Sequence, residues 1–363
     1  MSRILKIANF LKENNLDGFL VSNFYNIFYL TSFKGLSSDE REVWVLVLKD
    51  EVFLFTDRRY DNKLKIQSAS WRTKVKVVFY EEGKNILHYL REIIDKRNIK
   101  KIGFEGEDLK FFEYKKFVDE LKIDFVPVYF LIKKLRANKD EQEIEFIKKA
   151  CQIGDQCLNE ISKFIKPGIS EKEIAFKIEF WLKEKGYDLA FYPIIAVDEN
   201  SSIPHYDTRE GEGKVKNNSV VLIDFGVKYK NYNSDITRMF FINPDIEKIN
   251  IYQKLLKIQK KSIEFFAVAK PQSYKQVDLY TRELFKKEGL PFFPHSLGHG
   301  VGLEIHEYPK VSFLIDEAIE DNHIFTIEPG VYFPSRWGLR IEDTVIYQKN
   351  KVELLTNFAK DIF

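Results

Sequence analysis

LIDFGVKYKNYNSDITRMF, residues 222–240, decides how this chain is read. It begins inside SVVLIDFGV, a run that is apolar on both faces and therefore reads as a strand buried on both sides. Asp224 is embedded in that run, and a buried charge needs a partner. After the turn-like KYKNYNS, Asp235 opens a second strand, ITRMFFI. An antiparallel hairpin over this stretch places Asp224 and Asp235 side by side on one face, where like charges destabilise a sheet unless a cation lies between them. Either aspartate alone also reads as a surface residue beside Arg238. That reading does not serve for both at once.

Three further residues share this character. His299 lies in SLGHGVGLEIHEYP, where glycines at 298, 300 and 302 allow close approach to a ligand and conformations barred to other residues. Glu328 lies in TIEPG, where Pro329 and Gly330 turn the chain after a strand. Glu342 lies in LRIEDTVIY, whose alternation puts Arg340, Glu342 and Thr344 on one face. His299 alone also reads as an ordinary turn residue, and Glu342 alone as half of a structural Arg–Glu pair. Together, four carboxylates and one imidazole have the donor composition of a two-metal hydrolytic site. Packed without cations, the carboxylates would repel and take up protons. Two divalent ions would cancel their charge and leave a bridging hydroxide as nucleophile. His306 and His205, the latter in SSIPHYD, read as catalytic rather than ligating, because imidazole titrates near neutrality and can serve a reacting carbonyl or leaving nitrogen. His88 and His323 read as structural, and His295 is open between the two.

Length and composition set the frame. A chain of 363 residues predicts two domains. Residues 1–130 alternate strand-like runs (DGFLVS, VWVLVL, VFLFT, KVVFY, KKIGFE) with amphipathic segments at 85–97 and 109–121, an α/β domain without a nucleotide-binding glycine pattern. The second domain, 131–363, begins just before a helix for which Asn138 is the expected cap, with Asp140, Glu141 and Glu143 in its first turn. Further helices are expected from Ser170 to Lys185, from Ile246 to Ala269, and from Tyr274 to Lys287. The 57 basic and 55 acidic residues nearly balance, so no overall field favours nucleic acid or an anionic membrane. Cys151 and Cys157 fall on one helix pointing in different directions, which predicts free thiols. With no long uncharged apolar run and no signal-like start, a cytoplasmic protein is expected.

The runs LIDFGVKYKNYNSDITRMF, SLGHGVGLEIHEYP, FTIEPGVYF and GLRIEDTV resemble the signatures of the creatinase-like metallopeptidases of the pita-bread fold. DGFLVSNFYNIFYLTSFKG, FLFTDRRY and LRANKDEQEIE resemble the amino-terminal domain and linker of that superfamily's proline-specific branch, aminopeptidase P and Xaa-Pro dipeptidase (prolidase). The resemblance implies an α/β amino-terminal domain that dimerises and caps the site, followed by an α+β pita-bread catalytic domain. It implies that Asp224 binds one metal, that Asp235 and Glu342 bridge the pair, and that His299 and Glu328 complete the other. The metals would be Mn²⁺ or Co²⁺. Glu328 would accept the proton of the attacking water, with His205 and His306 steadying the intermediate and the departing proline nitrogen. Hydrolysis of Xaa-Pro bonds at the N-terminus of short peptides by a homodimer is the implied activity.

Three alternatives follow from the same resemblance, one of them metal-free creatinase-type amidinohydrolysis, against which the intact ligand set argues. A strict Xaa-Pro dipeptidase must hold a free carboxylate, for which Lys310 and Arg340 are the expected cations, Lys310 standing where some prolidases have arginine. A non-catalytic binding module of the same fold would ordinarily have lost metal ligands, and all five are present. The chain departs from the family pattern in AVDENSSIPHY, in VKNNS, and in EDNHIFTIEPG, where a glycine is usual. Asparagine tolerates the left-handed conformation, so the VKNNS turn is expected to survive by using it.

Overall fold

The computed structural model describes residues 3–68 and 75–360. The chain divides into two compact units, Met1–Leu135 and Arg136–Phe363. In the first unit the order is α1 (Arg3–Glu13), β1 (Gly18–Val21), α2 (Phe24–Thr31), β2 (Trp44–Leu48), β3 (Val52–Thr56), α3 (Asp61–Ser68), β4 (Val75–Phe79), α4 (Ile86–Arg97), β5 (Lys101–Glu105), α5 (Phe111–Leu121) and β6 (Asp124–Val128). The strands form one mixed sheet in the order β4-β3-β2-β1-β5-β6. Every strand-like run expected in this part is a strand. β6 was not foreseen, because its Pro127 lacks the amide hydrogen of a central strand, and the proline is tolerated at the sheet edge.

After α6 (Leu131–Ala137), the second unit begins with α7 (Glu141–Ile161) and α8 (Glu171–Glu184). The cap of α7 is Asp140, in a capping box with Glu143, and not Asn138, which instead bridges to His323. Ser170 and Glu173 form the corresponding box on α8. There follow β7 (Asp188–Leu189), β8 (Ile194–Val197), β9 (Val220–Phe225), β10 (Val227–Tyr229), β11 (Tyr232–Asn233) and β12 (Ile236–Phe241). Then come α9 (Ile246–Ala269), α10 (Tyr274–Glu288), β13 (Gly298–Gly300), β14 (Glu307–Val311), β15 (His323–Ile327), β16 (Gly330–Phe333), β17 (Trp337–Arg340), β18 (Glu342–Gln348) and β19 (Lys351–Leu354). The main sheet runs β14-β13-β15-β18-β12-β9-β8, with β19 on β18, and its pairings are antiparallel.

Two apolar cores flank this sheet, which is why β9 is hydrophobic on both faces. Val221, Ile223 and Phe225 pack with α7 and α8 through residues such as Leu158, Ile174 and Ile178. Val220 and Leu222 pack on the other side with Tyr252, Leu255, Tyr274 and Phe285 of α9 and α10. Asp224 continues this second row. At the sheet's end the row changes from apolar to acidic, and the site begins there.

The hairpin expectation needs one correction. Asp224 pairs with Thr237, not with Asp235. Asp235 lies two residues before Thr237, so the aspartates are diagonal neighbours on one face rather than directly opposed. The intervening residues are not a simple turn, since β10 and β11 form a small sheet with β7. Arg238 serves neither aspartate: it pairs at 2.7 Å with Asp343, and both side chains are buried.

The glycines around His299 also act differently from expectation. None of the three adopts a positive φ. A Cβ on Gly298 would stand 1.9 Å from the Thr326 carbonyl oxygen, and one on Gly300 2.3 Å from that of Tyr308. These glycines let strands pack closely. In VKNNS neither asparagine is left-handed, whereas Asn322 in EDNHIFTIEPG is, at φ 67°. Cys151 and Cys157 are free and buried. No helix among the described residues is long and apolar enough to cross a membrane.

Candidate functional site

A cavity of about 560 Å³ opens in the second unit, and all the residues singled out for chemistry line it. Asp224 enters from β9, Asp235 from just before β12, His299 from β13, Glu328 from just after β15 and Glu342 from the start of β18. His205, His306, Lys310 and Arg340 complete the polar wall, and Phe191, Ile194, Pro204 and Ile305 supply an apolar one. His295 also lines the cavity, its Nε2 2.9 Å from the Tyr332 hydroxyl. His323 does not. It is buried against Tyr274, 3.0 Å from that hydroxyl, as a structural histidine.

The five ligand-type residues converge. Atoms of Asp224, Asp235 and Glu342 lie within 4.8 Å of one another, as do those of His299, Glu328 and Glu342. His299 Nε2 is 3.5 Å from Asp235 and 3.4 Å from Glu328. Its Nδ1 faces the Gly300 carbonyl oxygen at 3.2 Å, and since a carbonyl only accepts, that nitrogen carries the proton. The Nε2 lone pair is thereby aimed at the carboxylates, as a metal-binding imidazole requires.

Electrostatics sets the demand for cations. Burial raises all four carboxyl groups above their ordinary range. Asp235 is raised further by Glu342, Asp224 and Glu328. Glu328 is pushed up to about 8, with Asp224 adding to the effect of burial. Two ionised carboxylates ~4 Å apart repel by roughly 4 kcal/mol at an effective dielectric constant of about 20. The cluster therefore cannot be fully ionised on its own. Burial also drives His299 down to about 3, so it stays neutral and able to ligate. The buried oxygens Asp224 Oδ1 and Asp235 Oδ1 have no hydrogen-bond partner among the described residues. Hard, buried, unpartnered acceptors beside a neutral imidazole fit divalent cations.

Threonines hold the acids in place; sequence reasoning passed over Thr237 and Thr326 and placed Thr344 only on the face of Glu342. Thr237 donates to Glu342 at 2.7 Å, Thr344 to the Asp235 carbonyl at 2.7 Å, and Thr326 to Glu328 at 3.2 Å. Thr326 also accepts from the His299 amide. Each lies two residues from an acid of the cluster along the chain, so the period of a strand was the available signal. Arg340 donates to Asp224 at 2.5 Å, to Thr237 at 3.2 Å, and to the Pro204 carbonyl and Tyr332 hydroxyl at 3.1 Å each. Its guanidinium is thus engaged with Asp224, not with Glu342. The strand that was to carry Arg340 and Glu342 together is broken at Ile341, the two belonging to β17 and β18.

Residues 145–349 match metallopeptidase family M24, and residues 3–138 match the creatinase/prolidase N-terminal domain. This chain belongs to family M24. Membership implies divalent metal ions, and the two units are the creatinase-type amino-terminal domain and the pita-bread catalytic domain. The M24 chain is 33% identical over 365 residues to the Xaa-Pro dipeptidase of Pyrococcus furiosus, covering 99% of each. It superposes on the structure of an Xaa-Pro dipeptidase from Bacillus anthracis with a TM-score of 0.89, at 30% identity over 99% of both chains. Against the X-Pro aminopeptidase from Thermotoga maritima the TM-score is 0.84 at 31% identity, over 96% of this chain and 97% of the other.

Proposed function

We propose that this chain is a metal-dependent peptidase that hydrolyses the Xaa-Pro bond at the N-terminus of short peptides. The observation that carries the reading is the convergence of Asp224, Asp235, His299, Glu328 and Glu342 at one cavity, with two buried carboxylate oxygens left unpartnered. These five residues would hold two divalent ions, with Mn²⁺ or Co²⁺ the pair proposed. When bound, such ions offset the carboxylate charge, polarise the scissile carbonyl and activate a water for attack.

The protein's own groups supply the rest. Glu328 takes the proton from the attacking water, held in position by Thr326. His205 and His306, both exposed at the cavity wall, donate to the carbonyl oxygen and to the departing nitrogen. That nitrogen leaves as a secondary amine and needs a proton, which imidazole can deliver. An imide nitrogen offers no N–H for a peptidase to grip, so recognition falls to the apolar wall of Phe191, Ile194, Pro204 and Ile305. The working form is proposed to be a homodimer. The first unit exposes Phe111, Phe112, Tyr129 and Phe130, large apolar side chains that a second copy would cover.

A strictly dipeptide-cleaving form is favoured by one feature, Lys310 at the cavity wall, a cation suited to a free proline carboxylate. One comparison tests both readings: metal-stripped protein is assayed before and after adding Mn²⁺ or Co²⁺ on an Xaa-Pro dipeptide, an Xaa-Pro-Yaa tripeptide and an Xaa-Ala control. Metal-dependent cleavage of the tripeptide supports the first reading, and cleavage of the dipeptide alone the second. No cleavage of either by metal-loaded protein would sink both.

A further inference from the structure

Glu171 does not line the cavity, yet it grips the segment that carries His205. It lies in the first turn of α8 and is fully buried, 0% exposed. Its carboxylate accepts four hydrogen bonds, all from one stretch of chain. Oε1 accepts from the Val197 amide at 2.7 Å and from Asn200 Nδ2 at 2.9 Å. Oε2 accepts from the Tyr206 hydroxyl at 2.8 Å and the Gly213 amide at 3.0 Å. Val197 and Gly213 mark the two ends of the stretch, and Tyr206 follows His205 directly.

The loop is built around this carboxylate. A Cβ on Gly213 would stand 2.5 Å from Glu171 Oε1, and one on Gly211 2.6 Å from Oε2. Glu171 donates its own amide to the Gly213 carbonyl at 3.0 Å. From β17, Gly338 donates to the Ser201 hydroxyl at 2.8 Å and Arg340 to the Pro204 carbonyl. The segment that carries His205 is therefore tied both to the buried Glu171 carboxyl group and to β17.

A purely helical role for Glu171 does not explain this. The capping box of α8 is already made by Ser170 and Glu173. Four donors converging on one buried carboxylate are strong, charge-assisted bonds, and they order the loop rather than the helix.

We propose that Glu171 is a positioning residue that sets the placement of His205 in the cavity. The proposal rests on the peptidase reading for its kinetic arm and stands apart from it for its spectroscopic arm. In Glu171→Gln the amide turns an N–H group toward donors, so the socket loses acceptors. A loop misplaced by ~1 Å can cost about 10²-fold in rate, so kcat should fall on that order while KM and bound metal stay near the wild-type values. Tyr206→Phe removes one of the four bonds and should give a smaller fall, and it serves if Glu171→Gln does not fold.

The deciding measurement is the pair of losses together. In a His205→Ala background, Glu171→Gln or Tyr206→Phe should cause no further loss of kcat. A loss that multiplies with that of His205→Ala would overturn the proposal, since it would mean a general structural effect. Independently, the His205 imidazole resonance of the whole protein should shift in either variant, while that of His323 does not. An unmoved His205 resonance would also overturn it. Should the wild-type protein cleave no Xaa-Pro peptide, the peptidase reading fails alone, because the resonance still reports whether Glu171 holds His205.

Discussion

Arg340 reaches across from β17 to donate to Asp224 in β9, and both side chains are buried. The pair means that Asp224 has a protein cation on one oxygen while its other oxygen is unpartnered. Removing one member of a buried pair costs about 3–5 kcal/mol when the survivor's charge is left uncompensated. In Arg340→Met that cost should fall on the metal-free protein, where only the weaker influence of His205 and His306 still favours the Asp224 carboxylate. In loaded protein the ions take over. The rise in melting temperature on adding Mn²⁺ should therefore be larger in the variant than in the wild type. Equal rises would show that Arg340 and the metals do not share Asp224.

The raised carboxyl groups of the site predict a pH dependence that metal reduces. Glu328 has a folded pKa of about 8 against an ordinary 4.5, so the folded state holds a proton that the unfolded state has released. Its contribution is complete below about 4.5 and falls by about 1.4 kcal/mol per pH unit as pH rises toward 8. Asp235 and Glu342 act with the same sign. His299 and His323, both lowered to about 3, and His295, lowered to about 4, act oppositely up to their ordinary 6.5. The window free of these histidines is thus pH 6.5 to 8. Glu105 in the first unit, raised to about 7, adds to the fall in the lower part of that window, but metal at the site does not relieve it. Thermal melts across this window should show metal-free protein losing stability with rising pH throughout, and loaded protein losing only the Glu105 share below about 7. Parallel curves would argue against cations at the carboxylates.

Much of this was legible in the chain, and the reason is local. β9 announces itself because each of its faces meets a separate apolar core, and α8 because Ser170 and Glu173 close a box within four adjacent residues. The acids of the site were visible as charges where apolar residues belong. What stayed hidden was non-local. The register that sets Asp224 against Thr237, the Arg340–Asp224 pair and the grip of Glu171 on the His205 loop all join distant stretches, and no periodicity encodes them. β6 was hidden for a different reason: proline is a poor strand residue except at the edge it occupies.

Asp235 and Glu328 separate charge from catalysis. Asp235 is buried, 3% exposed, among like charges. Asp235→Asn removes one of those charges, so the metal-free protein should melt no lower than the wild type. Its bound metal, measured by elemental analysis, should fall, and hydrolysis should be lost with it. Glu328→Ala should abolish hydrolysis while leaving the circular dichroism spectrum unchanged. Full activity in Glu328→Ala would refute its role as proton acceptor.

Lys310 decides between the two substrate readings. It sits in β14 opposite His299 and lines the cavity with its residue exposed. Arg340 lines the same cavity, but its guanidinium is already bonded to Asp224, Thr237, Pro204 and Tyr332. Lys310 is therefore the cation better placed to meet a proline carboxylate. A hydrogen bond to a charged group contributes about 1.5–3 kcal/mol, so Lys310→Met should raise KM for an Xaa-Pro dipeptide by roughly 10- to 100-fold. A tripeptide presents no carboxylate at that point, and its KM should stay put. Lys310→Arg should restore dipeptide binding, because guanidinium matches a carboxylate through two parallel bonds. If Lys310→Met weakened both substrates alike, the lysine would be shaping the wall rather than reading the chain end.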